Sequence, residues 1–284
     1  MNKERKISQI YSAIPTIEGA GVQLKRIFGK RETPNFDPFL LLDDFHSDNK
    51  DDYIAGFPWH PHRGIETVTY MISGNIEHSD SLGNQGIIGA GDMQWMTAGS
   101  GIVHQEMPKT KEAQLWGLQL WVNLPANQKM TRPRYRDISA ATIPEYKDKN
   151  GIRVKVISGN YRGHLGPVEN IIYDPEYLDI QIPPDRTFKH SIKYGQTVFA
   201  YVLDGEGYFD SDKKDKVKAE HATLFGDGLN ICIESADLPL RFVLISGKPI
   251  GDPIAWYGPI VMNTDEELTL AFEEYRNGTF IKEV

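Results

Sequence analysis

The chain has 284 residues, enough for two ordinary domains, and with 40% apolar residues it can fill proper cores. Its net charge of −8 disfavours broad attachment to nucleic acid, which needs a basic surface. One cysteine, Cys232, excludes an internal disulfide and fits a reducing compartment. No run reaches the roughly 18 apolar residues of a membrane helix. The opening segment MNKERKISQIYSAI lacks the apolar core of a signal peptide. The expectation is a cytoplasmic protein that binds neither membrane nor nucleic acid directly.

Read in chain order, short β-branched and aromatic runs succeed one another: VQLKRIF, PFLLLDDF, ETVTYMI and LWGLQLWVNL, then IRVKVIS, YLDIQI, TVFAYVL, ATLF, NICIES and LRFVLIS. The 26 glycines and 17 prolines are scattered between them. Many short strands with frequent turn signals predict an all-β sandwich or barrel. The first series ends in LWGLQLWVNL. The polar stretch RPRYRDISAATIPEYKDKNG follows, so the boundary is placed near residue 135, giving domains 1–135 and 136–284. Lys129, Arg132, Arg134 and Arg136 at this junction read as a solvated linker or an edge strand blunted by charge, with an acidic partner as the lesser alternative. Cys232, inside NICIES, reads as a small buried hydrophobe.

The halves look like diverged copies. HPHRGIETVTYMISGNIEHSD parallels KHSIKYGQTVFAYVLDGEGYFD, and each is followed by a Gly-Asp turn, Gly91-Asp92 and Gly226-Asp227. The tail predicts a helix: Thr264 and Glu267 form a capping box, Leu268, Ala271, Phe272 and Tyr275 follow at helical spacing, and Asn277-Gly278 supplies the stop. Such a helix packs against the face of a barrel.

The chemistry is concentrated in His60, His62, His104 and Glu106. Residues two apart on a strand point to one face, so each pair aims at one spot. Three imidazoles and a carboxylate make a mononuclear site for a first-row metal: Fe(II) first, with Mn, Ni, Cu, Co or Zn as alternatives. Glu66 shares the parity of His60 and His62, and parity alone leaves Glu66 and Glu106 both open as the carboxylate. The second half has no histidine in its CIESADLPLRFVLISG segment and reads as metal-free, while His46, His78, His164, His190 and His221 have no partner at ligand spacing. Phe57, Trp59, Met93 and Trp95, with Phe36, Phe39 and Phe45 upstream, are candidate barrel core or wall of a pocket for a flat ligand.

The order of these motifs is similar to that of the two cupin motifs. HPHRGIETVTYMISG, GDMQWMTAGSGIVHQEM, ISGKPIGDPIAWYGPIVMNT and FEEYRNGTF resemble the pirin family over nearly the whole chain. The resemblance implies two tandem cupin (jelly-roll type) β-barrels, the first holding one metal ion, the second degenerate and metal-free with a short C-terminal helix. It favours Glu106 as the carboxylate ligand, beside His60, His62 and His104. It also implies a quercetin 2,3-dioxygenase-like activity, in which Glu106 takes the proton of a flavonol hydroxyl, O2 attacks, the central ring opens and carbon monoxide leaves. The alternative it implies is a non-enzymatic regulatory protein that binds a transcription factor or a metabolic enzyme.

Overall fold

In the computed structural model, residues 3–109, 114–168, 171–172 and 175–282 are described. The strand pairings are antiparallel, and they form two compact units. Each unit has a seven-stranded and a four-stranded sheet.

The unit that contains the histidines comprises residues 14–34, 38–140 and 250–284. Its large sheet runs in the order Arg134–Ile138, Met93–Thr97, Ile65–Ser73, Leu115–Asn123, Phe39–Ser47, Val22–Phe28 and Ile14–Glu18. Its small sheet runs Phe57–His62, Ile102–Pro108, Ile76–Asp80 and Gln85–Ile88. Val22, Leu24, Phe45 and Met71 of the large sheet share a buried cluster with Ile76 and Ile88 of the small one, which joins the two sheets.

The other unit comprises residues 1–13, 35–37 and 141–249 and repeats the plan. Its large sheet includes Thr197–Asp204, Leu240–Gly247 and Glu176–Ile182, and its small sheet includes Thr187–Ser191 and Asn230–Ser235. Here the interior is one continuous apolar cluster, with Phe188, Ile231 and Ile233 meeting Val154, Leu178, Val198 and Phe242. His190 lies at its margin and bonds Glu176 at 2.8 Å. Cys232 is half-buried rather than a core residue, because Ile231 and Ile233 take the inward positions on either side of it.

The two units depart from a simple cut at residue 135. Arg134–Ile138 pairs with Met93–Thr97, so that position falls inside an edge strand of the first barrel. The chain ends also change sides: Ile7–Ser12 pairs with His221–Phe225, and residues 250–284 belong with the histidine-bearing barrel. A contiguous division misses this because pairing of the terminal segments leaves no local signal. Arg134 and Arg136 lie on the edge strand, as their charge suggested. Lys129 does not belong with them: it is buried, and its Nζ donates to Gly64 O (2.9 Å), Asn123 Oδ1 (2.5 Å) and Val261 O (3.0 Å).

The tail helix is Asp265–Arg276, with both bonds of the Thr264–Glu267 capping box formed and Gly278 in the left-handed region at φ +72°. Its Ala271 packs with Ile260, Met262 and Phe280. Buried Arg63 ties the tail down, donating to Glu274 (2.7 Å) and to Phe280 O (2.8 Å). Among the described residues no helix is long and apolar enough to cross a membrane.

Candidate metal centre

His60 and His62 lie on Phe57–His62, and His104 and Glu106 on Ile102–Pro108; the two strands are neighbours, with His104 directly opposite His60. A register shift between His104 and Glu106 places Glu106 opposite Phe57. The three imidazoles come together, with one ligand nitrogen from each lying within 4.8 Å of the others.

The outer nitrogen of each ring is anchored. His60 Nδ1 faces Pro58 O at 2.8 Å, His62 Nδ1 faces Pro259 O at 3.1 Å, and His104 Nδ1 lies 3.2 Å from the Tyr135 hydroxyl. A carbonyl only accepts, so in the neutral rings the Nδ1 of His60 and His62 carries the proton and Nε2 presents a lone pair. Those two Nε2 atoms are 3.1 Å apart, and the buried Nε2 of His104 has no hydrogen-bond partner among the described residues. Two lone pairs at that distance repel unless a cation lies between them. Nitrogens each about 2.1 Å from one ion and at right angles would be about 3.0 Å apart. Burial, followed by the neighbouring imidazoles, holds His62 and His104 well below the usual histidine range. These two rings therefore favour the neutral form, the one a metal needs. The donor set fits a single divalent cation.

Glu106 is buried beside this cluster but is not part of it. Its Oε1 lies 3.2 Å from Thr69 Oγ1 and its Oε2 accepts from Gln119 Nε2 at 3.1 Å. Thr69 Oγ1 also reaches Gln119 Oε1 at 2.8 Å, which closes a small ring of polar groups. Glu66 lies elsewhere. It is paired in register with Thr97, its Oε1 accepts from Thr97 Oγ1 at 2.7 Å, and burial raises its pKa. The parity shared by Glu66 and the histidines is lost at Gly64. That residue sits at φ +77°, where a Cβ would collide with Val261 O, and the chain turns there from the small sheet into the large one.

His60, His62 and Glu106 line a cavity of about 680 Å³. Phe45, Phe57, Trp59, Trp121, Trp256 and Tyr257 give it aromatic walls, and Arg26, Asp43 and Glu18 add a charged patch. Of the aromatic candidates in the sequence, Phe45, Phe57 and Trp59 line it, while Met93 and Trp95 are fully buried core residues. Phe39 is likewise core, and Phe36 belongs to the other unit, where it packs on Tyr11 and Phe199. Four contributors went unread in the sequence: Tyr135, Gln119, Trp121 and the segment Trp256–Pro259. All four lie far along the chain from the histidines. Only their positions on strands adjacent in space, or the Pro259 carbonyl that meets His62, reveal them.

Paired antiparallel barrels, one with an apolar interior and the other with inward-facing histidines, define a bicupin with one candidate metal centre. Residues 21–122 match the family described as Pirin, and residues 177–281 match the Pirin C-terminal cupin domain. The chain belongs to the pirin family. It is 39% identical over 282 residues to a Pseudomonas aeruginosa protein named "Putative quercetin 2,3-dioxygenase", covering 98% of this chain and 99% of that one. A crystal structure of quercetin 2,3-dioxygenase from Acinetobacter baumannii superposes with a TM-score of 0.90 at 30% identity, covering 98% of this chain and 99% of that chain. The Escherichia coli bacterial pirin YhhW, solved in complex with nickel(II), has a TM-score of 0.65 at 25% identity over 85% of this chain and 99% of its own.

Proposed function

We propose that this protein is a metal-dependent dioxygenase of the pirin type that cleaves quercetin or a related flavonol with O2 and releases carbon monoxide. His60, His62 and His104 hold one divalent ion, Fe(II) first among the candidates, and Glu106 provides the carboxylate at the same centre. The observation that carries this reading is the convergence of three anchored imidazoles, two of which line an aromatic-walled cavity. The quercetin dioxygenase names among relatives support it, and the nickel(II) complex of YhhW supports a bound metal ion. The second barrel, with its interior filled by side chains, is read as metal-free.

A divalent cation at this site supplies Lewis-acid polarisation and a template for substrate and O2. The chain's own groups handle the proton. Glu106 takes it from the flavonol hydroxyl, and the network around Glu106 accommodates both protonation states. Once protonated on Oε1, the acid donates to Thr69 Oγ1, Thr69 donates to Gln119 Oε1, and Gln119 Nε2 still donates to Oε2. The aromatic walls orient the flat substrate and exclude water.

The test is oxygen uptake and carbon monoxide release by metal-replete protein as the flavonol absorbance falls. Glu106→Gln should suppress turnover even in metal-loaded preparations, because an amide cannot take the proton. If neither gas changes above the free-metal control, the dioxygenase reading fails and the binding-protein reading takes its place.

A further inference from the structure

The charged patch is the anomaly of the aromatic cavity. Arg26 lies on Val22–Phe28 and donates to both oxygens of Asp43, from Nε at 2.8 Å and from Nη2 at 2.7 Å. Its Nη2 also meets Glu18 Oε1 at 2.9 Å. Asp43 is buried, whereas the Arg26 side chain keeps 28% exposure and borders the cavity. The bonds to Asp43 and Glu18 use Nε and Nη2, which leaves the two N–H groups of Nη1 uncommitted among the described residues.

The patch has a defined place relative to the metal centre. Gln119, which holds Glu106, is the register partner of Asp43, and Asp43 is the register partner of Arg26. Neighbouring strands are about 4.8 Å apart, so Arg26 lies roughly 10 Å across the sheet from Gln119. Two or three linked rings span that separation. The chemistry is equally restrictive. Lys30, whose Nζ donates to Trp256 O at 2.6 Å, borders the same cavity, so two carboxylates meet two cations and the patch presents donors and acceptors together. An aromatic hydroxyl suits it, since the O–H donates to Glu18 or Asp43 while the oxygen accepts from Arg26.

We propose that Arg26, Asp43 and Glu18 form a recognition site for the outer-ring hydroxyls of a flat polyphenol, and so select among substrates at the end remote from the histidines. This rests on the flavonol reading above. A site that bonds a hydroxyl disfavours the analogue that lacks it, because the bound ring then shields the Nη1 donors of Arg26 from water without offering them an acceptor.

The experiment compares three flavonols that share the reacting ring and carry no, one or two outer-ring hydroxyls: galangin, kaempferol and quercetin. Affinity is read from quenching of tryptophan fluorescence, Trp121 and Trp256 being wall residues. Metal-loaded and chelator-stripped protein are both used. The wild type should bind quercetin at least tenfold more tightly than galangin, with kaempferol between them and the same order without metal. In Arg26→Gln the ratio should fall below threefold. Glu18→Gln should lower it at least threefold. Glu18 is partly exposed, so that variant carries the test if Arg26→Gln does not fold. Equal affinity for all three flavonols, or discrimination unchanged in both variants, overturns the inference and leaves the dioxygenase reading standing. If none of the three binds even with metal, the flavonol reading falls and takes this inference with it.

Discussion

The Tyr135 hydroxyl offers the sharpest probe of how the centre is held. Three outer bonds anchor the three imidazoles, and two of them go to the backbone carbonyls of Pro58 and Pro259, beyond the reach of substitution. The third, from His104 Nδ1 to Tyr135 at 3.2 Å, can be removed by one oxygen atom. Burial, reinforced by Asp80, Glu106 and Asp137, holds the phenol pKa far up, so it stays neutral and can accept the Nδ1 proton. In Tyr135→Phe the ring stacked on His78 remains, but His104 loses its orienting partner and its buried Nδ1–H loses an acceptor. Losses of this kind lower metal affinity about 10- to 100-fold. At about 1.4 kcal/mol per decade that is roughly 1.4–2.8 kcal/mol. The assay is competition for the metal against a fluorescent chelator, with unfolding of metal-free protein measured alongside as a control. The unpaired N–H alone should lower stability by about 1–3 kcal/mol. Affinity within twofold of the wild type would refute the argument and show that packing alone orients His104.

Other outcomes follow from the same geometry. His104→Ala should abolish tight binding of one metal per chain, and His190→Ala should leave metal content unchanged; two metals per chain by elemental analysis would overturn this. In chelator titrations Glu106→Gln should lose metal sooner than Glu66→Gln, because Glu106 lines the cavity with His60 and His62 and Glu66 does not; the reverse order would move the ligand to Glu66. Burial, partly offset by Glu267 and Asp252, pulls Lys129 down to about 7 from its ordinary 10.5. Between those values the unfolded chain binds more protons than the folded one, so stability rises with pH. From pH 7 to pH 9 the wild type should therefore gain about 2 kcal/mol over Lys129→Met in urea unfolding. An unchanged difference would mean that its three acceptors keep the ammonium charged.

What the sequence made legible is what short-range spacing can carry. The His60–His62 and His104–Glu106 pairs each lie on a single strand, where the two-residue repeat holds, and the Thr264 capping box lies within one turn of helix. The same repeat failed for Glu66 because Gly64 intervenes, and parity survives only within an unbroken strand. Lys129 was misread because charge run on the page says nothing about carbonyls that converge from residues 64 and 261.

The differing fates of the two barrels rest on the residues that cross the large sheet. In one barrel the row Gln94, Thr69, Gln119, Asp43 and Arg26 runs in register over five adjacent strands. Such a row cannot be buried dry. Each group needs a partner, and the row finds them in Asp137, Glu106 and Glu18 and within itself. Three of its members, Gln119, Asp43 and Arg26, line the cavity beside the histidines. In the other barrel Val198, Ala200, Val202, Leu178 and Ile180 fill the interior from two central strands of the large sheet, and Phe188 and Ile231 close on them. An apolar interior collapses to full packing, and the cavity of that unit, of about 640 Å³, is lined instead by polar residues such as Lys189, His190 and Asn230. The polar row, as much as the histidines, distinguishes the interior of the first barrel from that of the second.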